Sequence, residues 1–358
     1  MKILMIIKRL HYSGAAKMFL WIANALAERG IDVTILTYKK SENIIPSRIV
    51  KWANLDYLEN RNLIYKYKVI RKYLKQELPD FCISFLLDAN ILNIIACLNL
   101  KTKSIVCERN DPYKPGYYKL KILRCLFSLA DGAVFQLNDV AKFYNNIKVP
   151  TAVIPNPVKE ISNISIKTID ERDNVIVSIG RLDIFQKRQD VLIKAFEIFH
   201  QKYPNYQLLI YGDGAKKDVD NICRLIKCYK LDKCVLLKGV TNNSIRELSH
   251  SKFFVFTSDF EGIPNSLVEA MSIGLPCIAT DCSPGGARLL IDDCVNGFLV
   301  PKGDYVMIAK KMCYLVENIG IAESMGNKAK EIVHEYNSDK ISNMWIEYLT
   351  KLASTSHI

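Results

Sequence analysis

The chain has 358 residues, 49% of them hydrophobic and 24% charged, which excludes disordered and fibrous classes and, at roughly 100–200 residues per domain, predicts two domains or three. No apolar run approaches the ~18 residues that a spanning helix requires. The net charge of +12 is lopsided, with 24 Lys+Arg against 12 Asp+Glu in residues 1–158 and 25 against 25 in the remainder, so the first half suits an anionic partner (nucleic acid, anionic lipid or a phosphorylated substrate) as well as it suits a merely solvated basic face.

In chain order, short β-rich runs alternate with amphipathic stretches. "KILMII" (2–7) reads as a buried strand, 15–29 as a helix with Met18, Ile22, Ala25 and Leu26 on one face, and "DVTILTY" (32–38) as the next strand. "FCISFL" (81–86), "KSIVCE" (103–108), "GAVFQ" (132–136) and "TAVIP" (151–155) repeat the theme with helical segments between them. Continuous apolar strands joined by helices predict a parallel sheet covered on both faces. "IPNPV" (154–158) breaks any regular element and 159–173 reads as a linker. The pattern then restarts: strand 174–180, helix 187–202, strand 206–212, helix 215–230, strand 234–239, helix 242–249, strand 253–258, helix 265–273 and strand 276–280, closed by helices near 304–317, 321–335 and 339–353. Two doubly wound α/β domains in tandem are expected, 1–158 and 172–338, with a ligand cleft beyond the carboxyl ends of their strands.

The opening "MKILMIIKRL" ends its apolar stretch at Lys8–Arg9 with no small-residue cleavage site after it, which predicts a cytoplasmic protein. The eleven cysteines are irregularly spaced and include no C-x-x-C. They read as small buried hydrophobes in a reducing compartment, not as disulfides or a zinc site.

Three segments carry candidate chemistry. "SGAAK" (13–17) puts Gly14 between a strand and a helix N-terminus, where backbone can approach an anion; a plain tight turn explains it equally well. In "SIGRLDIFQKRQDVLIKAF" (178–196) a strand ends at Gly180, Arg181 follows, and Lys187 starts a helix. Such cations can clamp a diphosphate, which would serve as the counter-charge that deeply placed cations need; a solvated loop is the plain alternative. "DFEGIPNSLVEAMSIGLP" (259–276) is more specific. Glu261 lies in a loop, Glu269 eight residues on within a helix, and between them Gly262, Ile263, Pro264, Asn265, Ser266 and Leu267 form a kinked entry to the helix N-terminus. The two carboxylates would flank one bound anion and accept hydrogen bonds from sugar hydroxyls. Glu269, amid Leu267, Val268, Ala270 and Met271, is expected to be largely buried and to need partners.

Together "GRL-x4-K" and "E-x7-E" (Arg181, Lys187, Glu261, Glu269) resemble the retaining nucleotide-sugar glycosyltransferases of family 4, bacterial surface-polysaccharide branch. "CERNDP" (107–112), "YGDG" (211–214) and "ATDCSPGGARLLIDDCVNGFLVP" (279–301) follow in the expected order. The resemblance implies the α/β GT-B fold, two Rossmann-like domains facing a central cleft, with the C-terminal helix (about 339–358) returning to an acceptor-binding first domain. It implies that Arg181 and Lys187 hold the donor diphosphate as leaving group, that Glu269 binds the ribose, and that Glu261 with the backbone of Gly262–Asn265 holds the transferred sugar and phosphate. Gly14 would approach the diphosphate, and Gly239–Val240 would lie at the base. A nucleotide-sugar donor, most simply a UDP-sugar, would be a co-substrate, with no cofactor and no metal. The family's first-domain histidine is replaced here by Glu108–Arg109–Asn110–Asp111, and Arg109 or Asn110 is expected on the acceptor side. Leu289 also stands where relatives often carry Glu.

The first-half charge then has an explanation. "RNLIYKYKVIRKYLKQ" (61–76) and "YKPGYYKLKILRCLF" (113–127) interleave cations with tyrosines, which suits the anionic inner face of the cytoplasmic membrane and a polyprenyl-diphosphate-linked saccharide acceptor. A solvated helix with core tyrosines is the plainer alternative, and no nucleic-acid motif is present. A nucleotide-sugar epimerase or hydrolase on the same fold, and a catalytically silent sugar-binding scaffold, are the rival functions.

Overall fold

A computed structural model describes residues 1–11, 14–41, 46–109, 111–113, 125–158 and 167–354. The chain forms two compact units, one made of residues 1–156 and 338–358, the other of 157–337.

In the first unit, β1 (Lys2–Ile7), β2 (Asp32–Thr37), β3 (Lys51–Asn54), β4 (Phe81–Phe85), β5 (Lys103–Glu108), β6 (Gly132–Phe135) and β7 (Thr151–Val153) form one sheet in the order β3-β2-β1-β4-β5-β6-β7. All its pairings are parallel, with Ile3 opposite Val33 on one side and Phe81 on the other. β1, β4 and β6 are buried almost throughout, as expected of strands covered on both faces. Helix Leu87–Cys97 carries buried Asn90 and Asn93, whose amides donate to the carbonyls of Cys107 (3.0 Å) and Cys82 (2.8 Å). These bonds satisfy both side chains and tie the helix to β4 and β5. The final helix, Ser338–Ser354, buries Trp345, and its Tyr348 hydroxyl donates to the Pro150 carbonyl at 3.0 Å.

In the second unit, β8 (Val175–Ile179), β9 (Gln207–Tyr211), β10 (Val235–Gly239), β11 (Phe253–Phe256), β12 (Cys277–Thr280) and β13 (Phe298–Val300) form a parallel sheet in the order β10-β9-β8-β11-β12-β13. Each sheet reverses its strand order beside its first strand, between β1 and β4 and between β8 and β11. Open α/β sheets hold their ligands outside the carboxyl ends of the strands at such a point.

Some elements differ from expectation. The helix expected over 321–335 is two helices, Ile319–Ala329 and Ile332–Glu335. Of the expected linker, residues 159–166 lie outside the described residues, and the part that follows is built into the second unit. Ile169 joins its core, and buried Arg172 donates to the Ser251 carbonyl at 3.3 Å. In helix Leu63–Glu77, Tyr67 and Tyr73 pack on the core while Tyr65 is exposed, so the interleaved tyrosines divide between the two readings given above. Most of 113–127, including all of 114–124, lies outside the described residues.

Candidate active site

The loops that leave β8 and β11 meet at the second unit's switch point. After β8 the chain turns through Gly180–Arg181 and enters helix Gln189–Lys202. Gly212, which follows β9 at φ +143°, stands so near this turn that a Cβ there would lie 1.9 Å from the Gly180 carbonyl oxygen; only glycine permits that approach. After β11, Thr257 donates through its hydroxyl to the Lys187 carbonyl at 2.8 Å, and the Asp259 N–H donates to the Gln186 carbonyl at 2.9 Å. The two loops are therefore stitched together directly beneath the charged side chains.

Lys187 Nζ is bonded to Glu261 Oε2, with both side chains mostly buried and the ammonium 5.5 Å from the Phe256 ring centroid. Gln186 links this pair to Arg181. Its amide donates to Glu261 Oε2 at 3.3 Å and to the Phe260 carbonyl at 3.1 Å, while its Oε1 accepts from the Arg181 guanidinium at 2.7 Å. Arg181 also pairs with Asp183 at 2.9 Å and remains well exposed. The expectation that these cations lack protein counter-charges is thus corrected: carboxylates 74 and 2 positions away in the chain supply them. A ligand phosphate would exchange with these bonds, not fill an unmet need.

The helix Asn265–Ser272 begins after Pro264 with no side-chain cap and no acidic residue in its first turn. Its first N–H groups lack intrahelical acceptors and present the positive end of the helix dipole. Gly262, Asn265 and Ser266 are half-buried, whereas Ile263, Pro264 and Leu267 are buried. Glu269 is half-buried, not largely buried, and accepts from the Ser244 hydroxyl at 2.6 Å. Its carboxylate is thereby bonded to helix Ser244–Ser249 and shares neither of the Glu261 partners Lys187 and Gln186. Gly239 and Val240 are exposed at the end of β10, Gly239 at φ +71° and Val240 71% accessible. Nearby Cys282 is buried, and its thiol is pushed up to about 12, chiefly by desolvation and then by the charge of Glu261.

In the first unit, Gly14 is exposed and opens helix Gly14–Ala27. Arg109 follows β5 and is only 8% accessible. Its guanidinium lies 4.5 Å from the Phe85 ring centroid, Nη1 is 3.5 Å from Asn156 Oδ1, and Nε and Nη2 have no hydrogen-bond partner. Burial lowers its pKa. The Cys107 thiol and the charge of Glu108 offset part of that shift, while the Glu108 carboxylate itself accepts from the Tyr144 hydroxyl (2.8 Å) and the Arg109 backbone N–H (3.1 Å). Asn110 lies outside the described residues.

Sequence reasoning missed Gln186, Asp183, Ser244 and the ion pairs of Arg188 with Asp259 (2.7 Å) and Asp190 (3.0 Å). The run "QKRQD" was read only for its lysine, although Arg188 two positions before Asp190 was a visible signal.

Comparison with known proteins bears on the family and the fold. Residues 160–332 match the family model described as glycosyl transferases group 1. The chain is 34% identical over 250 residues to an uncharacterized glycosyltransferase of Methanocaldococcus jannaschii, covering 63% of this chain and 61% of that protein, so it spans less than two thirds of that relative's length. It is 31% identical over 326 residues (87% of this chain, 84% of the other) to the Campylobacter jejuni N-acetylgalactosamine-N,N'-diacetylbacillosaminyl-diphospho-undecaprenol 4-alpha-N-acetylgalactosaminyltransferase. Among solved structures, a Staphylococcus aureus TarM variant with fondaparinux, alpha-GlcNAc-glycerol and UDP superposes with a TM-score of 0.79 at 18% identity, covering 97% of this chain and 99% of that one. The fold is GT-B, as the sequence implied.

Proposed function

The chain belongs to the group 1 glycosyl transferases, and we propose that it is a retaining, family 4-type enzyme that moves a hexose or N-acetylhexosamine from a UDP-sugar to a polyprenyl-diphosphate-linked saccharide in surface-polysaccharide assembly. The observation that carries this reading is the Arg181–Gln186–Glu261–Lys187 network at the carboxyl ends of β8 and β11, beside an uncapped helix N-terminus. Arg181 and Lys187 would exchange their carboxylate partners for the donor diphosphate and stabilise the charge that develops on it as it leaves. The first N–H groups of helix Asn265–Ser272, with Gly262 and Ile263 before them, would hold phosphate and sugar oxygens. Glu261, released from Lys187, would accept from sugar hydroxyls, and Glu269 from the ribose. Gly239–Val240 would lie against the base. The chemistry needs neither metal nor cofactor, because the two cations neutralise the leaving group.

The acceptor assignment is supported by the diphospho-undecaprenol saccharide in the name of the Campylobacter relative, and the donor assignment by the UDP bound to TarM. Arg109, with buried donors to spare, suits the acceptor side. Peripheral binding to the inner face of the cytoplasmic membrane is supported by helix Leu63–Glu77, which exposes Leu63, Ile64 and Tyr65 beside Arg61, Lys68, Lys72 and Lys75. No helix among the described residues is long and apolar enough to cross a membrane.

The test is thermal stabilisation by UDP-, GDP- and ADP-sugars and free nucleotides in the presence of a chelator, since ligands of the native state raise its melting temperature. A shift with UDP and its sugars, lost in Arg181→Ala, is expected. No shift with any nucleotide would refute the donor reading and return the silent scaffold.

A further inference from the structure

Arg188 has no role in the reading above, yet its backbone and its side chain are both out of the ordinary. It stands directly after Lys187 and before helix Gln189–Lys202, with φ +53° and ψ +45°. That left-handed conformation costs free energy for a residue with a Cβ and almost none for glycine. Such conformations persist only where the surroundings over-determine them, and they cluster at functional sites.

The side chain shows what holds this one. Nε and Nη2 donate to the two oxygens of Asp190 at 3.0 and 3.1 Å, a fork on its own helix, and Nη1 donates to Asp259 Oδ2 at 2.7 Å. All three side chains are mostly buried, and a bidentate pair of this kind keeps its geometry better than exposed ion pairs do. The pKa of Arg188 is raised, first by the hydrogen bonds to Asp190 and then, against a lowering by burial, by those to Asp259. Asp190 lies on the β8 side of the site and Asp259 on the β11 side, two residues before Glu261. One cation thus joins the loop that carries Lys187 to the loop that carries Glu261. It adds a charged tie to the bonds that Thr257 and Asp259 make with the carbonyls of Lys187 and Gln186. The start of the helix is fixed as well, because Gln189, 4% accessible, donates to the Arg181 carbonyl at 2.9 Å.

The pairing also disposes of a charge. Without Arg188, Asp259 would be an uncompensated, half-buried carboxylate on the loop that bears Glu261, where it would compete for Lys187 and repel an incoming anion.

We propose that Arg188 is a positioning residue for the diphosphate cations: its clamp on Asp190 and Asp259 sets Lys187 against Glu261 and keeps the charge of Asp259 out of the site. Its effect on turnover rests on the transferase reading above; the placing of Lys187 does not.

The experiment is first done without ligand. Lysines of the parent and of R188G/D259N are acetylated in competition with acetic anhydride and mapped by mass spectrometry. The double variant removes one cation and one carboxylate, so the net charge of the site is kept, and glycine accepts the conformation at 188. Lys187 should react several-fold faster in it, while Lys252, 7% accessible, should keep its rate. R188K, which keeps the charge without the fork, should give an intermediate rate. In steady-state transfer, R188G should lower kcat about tenfold, as for a small misplacement of a reacting group, and raise the donor KM several-fold. D259N should lower kcat to the same degree and leave that KM within about twofold. R188G/D259N should recover the parent's KM, with kcat no lower than in either single variant, because the two residues act as one unit. Unchanged acetylation of Lys187 in the double variant, or an equal acceleration of Lys252, overturns the clamp. Losses of kcat that multiply in the double variant overturn it too. Faster acetylation of Lys187 alone, in a protein that transfers from no donor, upholds the clamp and overturns only the transferase reading.

Discussion

Gly286→Ala tests whether the position of the 261–265 loop governs turnover. Gly286 opens the short helix Gly286–Leu290, and a Cβ there would lie 1.8 Å from the Gly262 carbonyl oxygen, 2.7 Å from the Gly262 carbonyl carbon and 3.2 Å from Ile263 Cα. Carbon and oxygen approach without strain to about 3.3 Å, so one backbone must retreat by roughly 1.5 Å. The 261–265 loop is the one that bears Glu261, whose N–H is bonded to the Ser283 carbonyl at 2.8 Å on the same strap as Gly286. A misplacement of about 1 Å at reacting groups costs about a hundredfold, or ~2.7 kcal/mol of transition-state stabilisation at 1.36 kcal/mol per decade. Overpacking also costs about 1–3 kcal/mol of stability, so the melting curve must be measured beside the kinetics. The assay is steady-state transfer at a temperature well below the variant's melting point. The matched control is Gly320→Ala, where the added methyl meets nothing within 4 Å and the residue lies in helix Ile319–Ala329. That change should leave transfer untouched and raise stability by about 0.5 kcal/mol. A Gly286→Ala protein with kcat/KM within about threefold of the parent would refute the claim that this loop's position is critical.

Four further outcomes are expected. Lys187→Ala should lower turnover at least about a hundredfold, as for loss of a transition-state contact, and near-normal turnover would remove Lys187 from the mechanism. Ser244→Ala removes the 2.6 Å donor to Glu269 and should weaken UDP binding by about fivefold to tenfold with kcat little changed, as read by calorimetry beside kinetics. Iodoacetamide on the native protein, mapped by mass spectrometry, should label exposed Cys125, Cys228 and Cys294 and spare buried Cys107 and Cys282. Burial pushes both of those thiols up from 9.0 to about 12. They keep their protons in the native state after the unfolded chain has lost them, so stability should fall as pH rises from about 9 towards 12. A melting temperature that holds steady over that range would contradict it.

The strands that were legible in the sequence are the continuously buried ones. β1, β4, β5 and β11 announce themselves because both faces are covered and every residue must be apolar or satisfied. β3 was passed over for the opposite reason: at the sheet edge Lys51–Asn54 has only two half-buried side chains and no apolar run. The break between Ala329 and Ile332 was equally silent, since no proline or glycine marks it.

The same distinction between local and non-local information governs the site. Arg181, Lys187, Glu261 and Glu269 could be singled out because each motif is contiguous. The bond of Lys187 to Glu261 could not, because it joins residues 74 apart. Those residues meet because β8 and β11 are neighbours although β9 and β10 intervene in the chain. An argument from charge along the chain therefore left the two cations without counter-charges, where the sheet order supplies them. In the first unit the sheet order likewise joins what the sequence separates, setting Lys8 2.9 Å from Asp88, 80 positions away, because β1 and β4 are neighbours. In each unit it is strand order, not spacing along the chain, that decides which carboxylate meets which cation.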